Sequence, residues 1–381
     1  MKIGSSYSIS ILMIIVFLFG SKTGFAQNDS LIDDYSNYKR NYKLNALVVG
    51  KYTASLNNDI DYKGKHYNDE ESEELVDNSF EMQYVRLSTT FYINDRISTS
   101  ILVNLAEFKS ENLSGKVLEN AFVSYHHNSY FNIMLGQFRP FFGLEDLYPF
   151  QLGNSYSWSN QYFLFGKNGW QSFQVGAAVY GSLESKIFSY YFTVYNGNNR
   201  NKIGDNDNSK NLTLRLEYRP FSVIKIGWNG GIARYEKQQA YAFGIDGQFH
   251  QPLGNRFYLD INAEYKKATN FEEYRISQEP FPKLEDYNME GFYSLYKLCY
   301  RLHAPRLRAL ELSFRHEYLD RDISNKKNEQ LTYVPMLSLV FAGDYTAKLS
   351  LIAEINDYKG NIPGTLQYDS NKMLIQFQVA Y

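Results

Sequence analysis

The residues whose chemistry needs explaining first are six histidines, one cysteine and a set of charged side chains embedded in otherwise apolar runs. The histidines are His66, His126, His127, His250, His303 and His316, and the cysteine is Cys299. No pair of histidines has a zinc-ligand spacing such as HExxH, and no GxSxG elbow occurs. His126-His127 and His303 fall at tight turns, His250 precedes one, and His316 sits on the apolar phase of its strand. Cys299, flanked by Leu298 and Tyr300, reads as a packed thiol, and a lone cysteine forms no internal disulfide. The pattern argues against an enzyme and calls for no cofactor or metal.

The charged residues carry more. Arg86, Arg139, Arg215, Arg219, Lys225, Lys297, Arg301, Arg315 and Lys348 alternate with apolar neighbours, and Glu217, Glu264, Glu311, Glu317 and Glu354 occupy the same phase of their strands. Such a face either stays wet, with its charges paired across strands, or presents arginines as a ladder for anions. A mildly acidic chain, net charge −2, makes nucleic acid an improbable partner.

The elements that position these charges follow a period of two from Lys43 to Tyr381. Leu212, Leu214, Leu216 and Tyr218 interleave with Thr213, Arg215, Glu217 and Arg219; Met373, Ile375, Phe377, Val379 and Tyr381 interleave with Leu374, Gln376, Gln378 and Ala380. Alternation marks strands half buried in something apolar. The chain is 17% aromatic yet has a mean hydropathy of −0.43, as expected when one face meets lipid and the other water. About 16 such runs can be placed, each roughly 9 to 13 residues, which suits a tilted span of the hydrocarbon layer. They lie near 43–53, 80–93, 96–107, 117–127, 131–139, 171–180, 187–195, 211–219, 222–233, 241–250, 256–266, 290–301, 308–318, 330–341, 345–356 and 372–381. Connections after even-numbered runs are short; those after odd-numbered runs are mostly long and polar. All tight turns then lie at one end, the layout of a transmembrane antiparallel β-barrel with short periplasmic turns and long extracellular loops. Closure is required because an unpaired backbone group in lipid costs several kcal/mol.

Residues 1–26 read as a signal peptide: Lys2, an apolar stretch Ile9 to Phe19, and Gly24-Phe25-Ala26 as cleavage site. Residues 27–42 form a short polar periplasmic lead-in and 43–381 the barrel. The third extracellular loop, 140–170, is too aromatic to be solvated. Folded into the barrel it would narrow the pore and set its size limit; packing over the mouth or into a subunit interface is the other option. The first loop is acidic, with Asp69, Glu70, Glu71, Glu73, Glu74 and Asp77.

The stretch Leu135-Gly136-Gln137-Phe138-Arg139-Pro140-Phe141-Phe142-Gly143-Leu144-Glu145 resembles the "GQFKxPFGLE" segment of the phosphate-selective porins O and P, which joins strand 5 to the constriction loop. The triplet Pro-aromatic-Gly is stretched here by one phenylalanine, and Arg139 stands where a lysine is usual. The resemblance implies a 16-stranded channel that forms a homotrimer. The aromatic C-terminus of 372–381 resembles the signal by which barrels are handed to the barrel-assembly machinery. The expected function is an outer-membrane porin of a Gram-negative bacterium, passing small hydrophilic solutes and ions, among them anions such as phosphate, by diffusion. The other class left open is a non-conducting barrel serving as a structural or accessory subunit of a secretion or uptake complex. Candidate pore-lining and constriction residues are Arg139, Glu145, Asp146, Lys167, Arg86, Arg215, Arg219 and Arg315.

Overall fold

The computed structural model describes residues 41–381 except 69–74, 110–115, 151–154, 184–185, 203, 206–207, 303, 326–327 and 343–346. The signal peptide, the lead-in up to residue 40, five of the six acidic residues of the first loop (Asp69, Glu70, Glu71, Glu73 and Glu74) and His303 lie outside the described residues.

Alternation over a lipid-facing and a water-facing side produces what it predicts. Sixteen antiparallel strands close into a barrel, each bonded to its sequence neighbours and the last to the first. In order they are β1 (Asn41–Ser55), β2 (Asn78–Tyr92), β3 (Ile97–Asn104), β4 (Leu118–His126), β5 (Asn132–Phe138), β6 (Gln174–Leu183), β7 (Phe188–Tyr195) and β8 (Asn211–Phe221). The second half comprises β9 (Ile224–Tyr235), β10 (Gln238–Leu253), β11 (Phe257–Thr269), β12 (Asn288–Arg301), β13 (Ala309–Asp320), β14 (Glu329–Ala342), β15 (Ala347–Tyr358) and β16 (Ser370–Ala380). Closure pairs Leu47 with Ala380 through Ser55 with Lys372, and Tyr381 adds two more bonds, donating its N–H to Ala46 O at 2.8 Å and accepting from Ala46 N at 2.9 Å. No helix among the described residues is long and apolar enough to cross a membrane; the crossing elements are strands.

On β8, Leu212, Leu214 and Leu216 are exposed outward while Thr213, Arg215 and Glu217 are buried inward. Trp228, Phe243, Leu312, Phe314, Leu351 and Phe377 continue the outward apolar belt on other strands. β1 starts at Asn41, two residues before the expected start, and β8 runs through Pro220 to a turn at Ser222-Val223. The β9–β10 connection departs from the long-loop rule. It is a two-residue hairpin, Glu236-Lys237, with both residues at positive φ (47° and 68°), the geometry that matches strand twist.

Loop 139–173 and loop 270–287 each carry a short helix, α1 (Asn160–Lys167) and α2 (Phe271–Ile276). Helix α1 starts at Ser159, whose hydroxyl accepts from Tyr162 N at 3.2 Å. Both loops turn inward. Phe142, Leu164, Phe165 and Trp170 from the first meet Phe271, Tyr274, Leu284 and Tyr287 from the second and Ala233, Ala242, Ala268, Met289 and Leu319 from the wall in one apolar cluster. The Trp170 and Phe271 rings stack with centroids 5.7 Å apart, and Trp170 Nε1 donates to Thr269 O at 3.0 Å. That cluster fills the lumen beside β9–β13.

Candidate functional site

The motif around Gly136 builds the base of the inward loop. Gly136 has φ +132°, and a Cβ there would lie 2.3 Å from Ala121 O, so only glycine lets β5 approach β4 this closely. Gln137 Nε2 donates to Leu118 O and Glu119 O at 2.9 and 3.0 Å. Arg139 bonds two carbonyls of the loop, Glu145 O at 2.9 Å and Tyr148 O at 2.5 Å, bending the chain back on itself. Gly143, at φ +102°, leaves room for Glu264, whose Oε1 accepts from Leu144 N at 2.8 Å. Glu145 accepts from Ser159 N at 2.8 Å and from its hydroxyl, tying the loop's two limbs together.

The far limb reaches the opposite wall. Asn160 N donates to Glu317 at 2.6 Å, Arg315 Nη1 donates to Ser155 Oγ and Ser157 O at 2.6 and 2.7 Å, and the Tyr156 hydroxyl bonds Glu354. Gln83 on β2 and Gln376 on β16 both donate to Tyr156 O, at 3.3 and 2.9 Å. The loop thus spans the lumen, in the inward arrangement favoured from its composition.

Beside it, open space remains. On the outer side lies a vestibule of about 960 Å³, lined among the described residues by seven basic side chains (Arg86, Lys116, Lys167, Arg200, Lys202, Arg234, Arg275) against three acidic ones (Glu107, Glu119, Asp205). A second cavity, about 190 Å³, shares Arg86, Trp158, Tyr162 and Phe173 with the vestibule and adds Arg139, Phe150 and the β1–β4 wall residues Asn45, Ser88, Ser100 and Asn120. A third, about 310 Å³, lies on the other side of the loop between Tyr148, Trp158, Arg219, Lys225, His250 and Arg315. The step between vestibule and second cavity is bounded by the residues the two share, Arg86 on the wall and Trp158, Tyr162 and Phe173 on the loop. Arg86 pairs with Glu119 at 2.7 Å and lies 3.9 Å over the Tyr84 ring; Arg200 reaches the same carboxylate at 3.6 Å. Glu119 points inward because a register shift in the β3–β4 ladder at Leu102/Val103 re-aims it. Arg139 lies over Trp158 at 5.3 Å and has no carboxylate within ion-pairing distance among the described residues.

Of the eight residues singled out from sequence, Arg86, Arg139, Glu145, Lys167, Arg219 and Arg315 border cavities. Arg215 and Asp146 do not face open lumen. Arg215 is fully buried in an ion cluster, with Asp246 at 2.5 Å and Glu217 at 2.9 Å, and Asp146 is buried under the loop against Gln171 at 2.9 Å. Burial raises the Asp146 carboxyl from 3.8 to about 7, against the opposing pull of Arg139 and the Gln171 hydrogen bond. Pairing across and along strands also claims Lys297 with Asp260 (2.8 Å), Lys348 with Glu311 (3.0 Å) and Arg315 with Glu317 (2.7 Å). So the charges of the β8–β15 wall are paired and mostly buried, and among the described residues basic side chains outnumber acidic ones at the vestibule. Trp158, Tyr162 and Phe173, aromatic residues that the sequence does not single out, are the loop residues at that step; their irregular spacing carries no signal of its own.

The family model for phosphate-selective porin O and P matches residues 53–268. Among solved structures the chain is similar to the outer membrane channel DcaP of Acinetobacter baumannii, with TM-score 0.56 and 11% identity over 90% of this chain and 97% of that one. It is similar to the outer-membrane-expressed OmpT of Vibrio cholerae (TM-score 0.55, 10% identity, 91% and 99% covered) and to the anion-selective porin from Comamonas acidovorans (0.53, 9%, 90% and 100%). No curated protein matches the sequence.

Proposed function

Because the chain belongs to the phosphate-selective porin O and P family, whose model spans more than half of it, we propose that it is an anion-preferring porin with an off-centre pore. As a member of that family it is a diffusion channel of the Gram-negative outer membrane for small hydrophilic solutes. The observation that carries the anion preference is the vestibule, lined among the described residues by seven basic side chains against three acidic ones and opening onto a step flanked by Arg86 and Arg139. Positive charge focused in a narrow, low-dielectric slot raises the local concentration of anions and lowers that of cations. Solutes pass on the β1–β5 side of the loop, since apolar packing fills the β9–β13 side. The driving force is the solute gradient, so the reading includes no cofactor and no catalytic step. Planar-bilayer reversal potentials in a KCl gradient test it: an anion-signed potential is expected, and a cation-signed one would overturn the selectivity.

The oligomer proposed is a homotrimer packed on the short wall. β3, β4, β5 and β7 have only 8, 9, 7 and 8 residues, whereas β10, β12 and β14 have 16, 14 and 14. A strand needs about 9–11 residues to cross the hydrocarbon layer, so this sector fits a protein neighbour better than lipid. One neighbour in fold, OmpT of Vibrio cholerae, is described in a trimer form. Residues 1–26 are read as the export signal, and the final strand with its exposed Tyr381 as the handle for barrel assembly.

A further inference from the structure

We propose that the passage is built for acidic carbohydrates, a pyranose ring bearing a phosphate, sulfate or carboxylate group. The proposal rests on the porin reading and narrows its solute class. Five rings form an unbroken file: Tyr84 to Phe150 at 4.5 Å, Phe150 to Trp158 at 5.5 Å, Trp158 to Tyr162 at 5.0 Å and Tyr162 to Phe163 at 6.1 Å between centroids. Both ends of the file, Phe163 (47% exposed) and Tyr84, border the vestibule, and Phe150, next to Tyr84, borders the second and third cavities. Trp158, in its middle, borders all three.

The loop is anchored on both sides of the lumen. Trp170, Phe142 and Phe165 belong to the apolar cluster on the far side, and Phe150, Trp158 and Tyr162 pack with Tyr84, Leu47 and Val49 against the β1–β2 wall. Four rings of the file are therefore buried, at 3–9% exposure, and what they leave uncovered borders the cavities. Across the second cavity it faces a polar wall of Asn45, Ser88, Ser100 and Asn120. A slot bordered by aromatic rings on one side and by amide and hydroxyl groups on the other suits a solute with an apolar C–H side and hydroxyl edges, which is a sugar ring. Two guanidinium groups stand on the file, Arg86 over Tyr84 at 3.9 Å and Arg139 over Trp158 at 5.3 Å, and a third, Arg200, lies over Phe173 at 5.3 Å beside it. They supply the partner for an acidic substituent. An inorganic anion uses the arginines and gains nothing from the rings; a neutral sugar uses the rings and gains nothing from the arginines.

The experiment is current block in planar bilayers of the full mature chain, with glucose 6-phosphate, glycerol 3-phosphate, inorganic phosphate and glucose as probes. Glucose 6-phosphate is expected to halve the KCl current at a concentration at least about tenfold below that of each other probe. Trp158→Leu and Tyr162→Leu should each shrink that advantage to about twofold, heat-modifiable migration on gels showing that the barrel still forms. Ser88→Val, on the wall and independent of the loop's fold, should weaken block by glucose 6-phosphate and leave block by phosphate in place. Equal block by phosphate and glucose 6-phosphate would overturn the carbohydrate class and leave the anion channel standing; equal block by glucose would overturn the acidic requirement. No current from folded protein would overturn the porin reading and this proposal with it.

Discussion

Arg86 on β2 and Glu119 on β4 meet 2.7 Å apart on the lumen wall, at the step where the vestibule adjoins the second cavity. Because Arg200 shares the same carboxylate at 3.6 Å, the group holds two guanidinium charges against one carboxylate. The step is positive by construction, and one residue sets by how much.

Removing that carboxylate should sharpen anion preference. Glu119→Gln is expected to raise the chloride-to-potassium permeability ratio by roughly twofold, and Arg139→Gln to lower it by a similar factor. Both effects should fade in 1 M salt, where the Debye length is about 3 Å. Reversal potentials in shallow and steep KCl gradients measure this, and an unchanged ratio for Arg139→Gln would remove that residue from the pore's electrostatics.

Loop 270–287 pins the constriction loop through Phe271, stacked on Trp170, and through Asn168 Oδ1, which accepts from Glu272 N at 3.0 Å. Phe271→Ala opens a gap in that cluster and should weaken docking by up to about 3 kcal/mol. The expected signature is a noisier open state with a larger mean conductance. Identical single-channel traces would mean that the two loops dock independently.

Docking of the constriction loop should also depend on pH. Burial holds the Asp146 carboxyl at about 7, whereas in a loop released to water it returns to 3.8, so docking takes up a proton between those values. The contribution is complete below pH 3.8 and is lost as pH rises through about 7. Quenching of Trp158 and Trp170 fluorescence by acrylamide should therefore increase over that range, and Asp146→Asn should flatten the response. A steeper response in Asp146→Asn would reverse the assignment.

The short wall predicts where subunits meet. Ile101, Val123 and Leu135 project outward from β3, β4 and β5 and are exposed in the single chain. Leu135→Arg should convert a trimer on non-denaturing gels into monomers, since a buried arginine at that depth costs about 2–4 kcal/mol. Leu351→Arg, on the long wall, should leave the trimer band intact. Equal behaviour of the two variants would move the interface elsewhere.

What the sequence discloses is set by periodicity. All sixteen strands were expected close to where they lie, because a two-residue repeat such as Leu212–Arg219 is local and survives any loop arrangement. The inward course of the third loop was legible from its aromatic content and the Gly136–Glu145 motif. Pairing was not legible. Whether Arg215 faces water or Asp246 depends on which strands become neighbours and on what covers them, and α1 and the rest of its loop cover them here. Asp146 was hidden the same way. Glu236-Lys237, without a glycine or asparagine, gave no sign of a two-residue hairpin, and Phe271 sat unnoticed in what read as a polar loop. Trp158 could not be singled out because an irregular loop has no period to place it.

The central claim is that solutes pass between the constriction loop and the β1–β4 wall. Cysteine labelling during bilayer recording tests it most directly, in a Cys299→Ser background. Ser100→Cys borders the passage, and Thr213→Cys lies inward on β8 but is buried. An anionic thiosulfonate reagent is expected to cut the current through Ser100→Cys sharply and to leave Thr213→Cys unaffected. Block through Thr213→Cys with none through Ser100→Cys would put the pore on the other side of the loop and contradict the account.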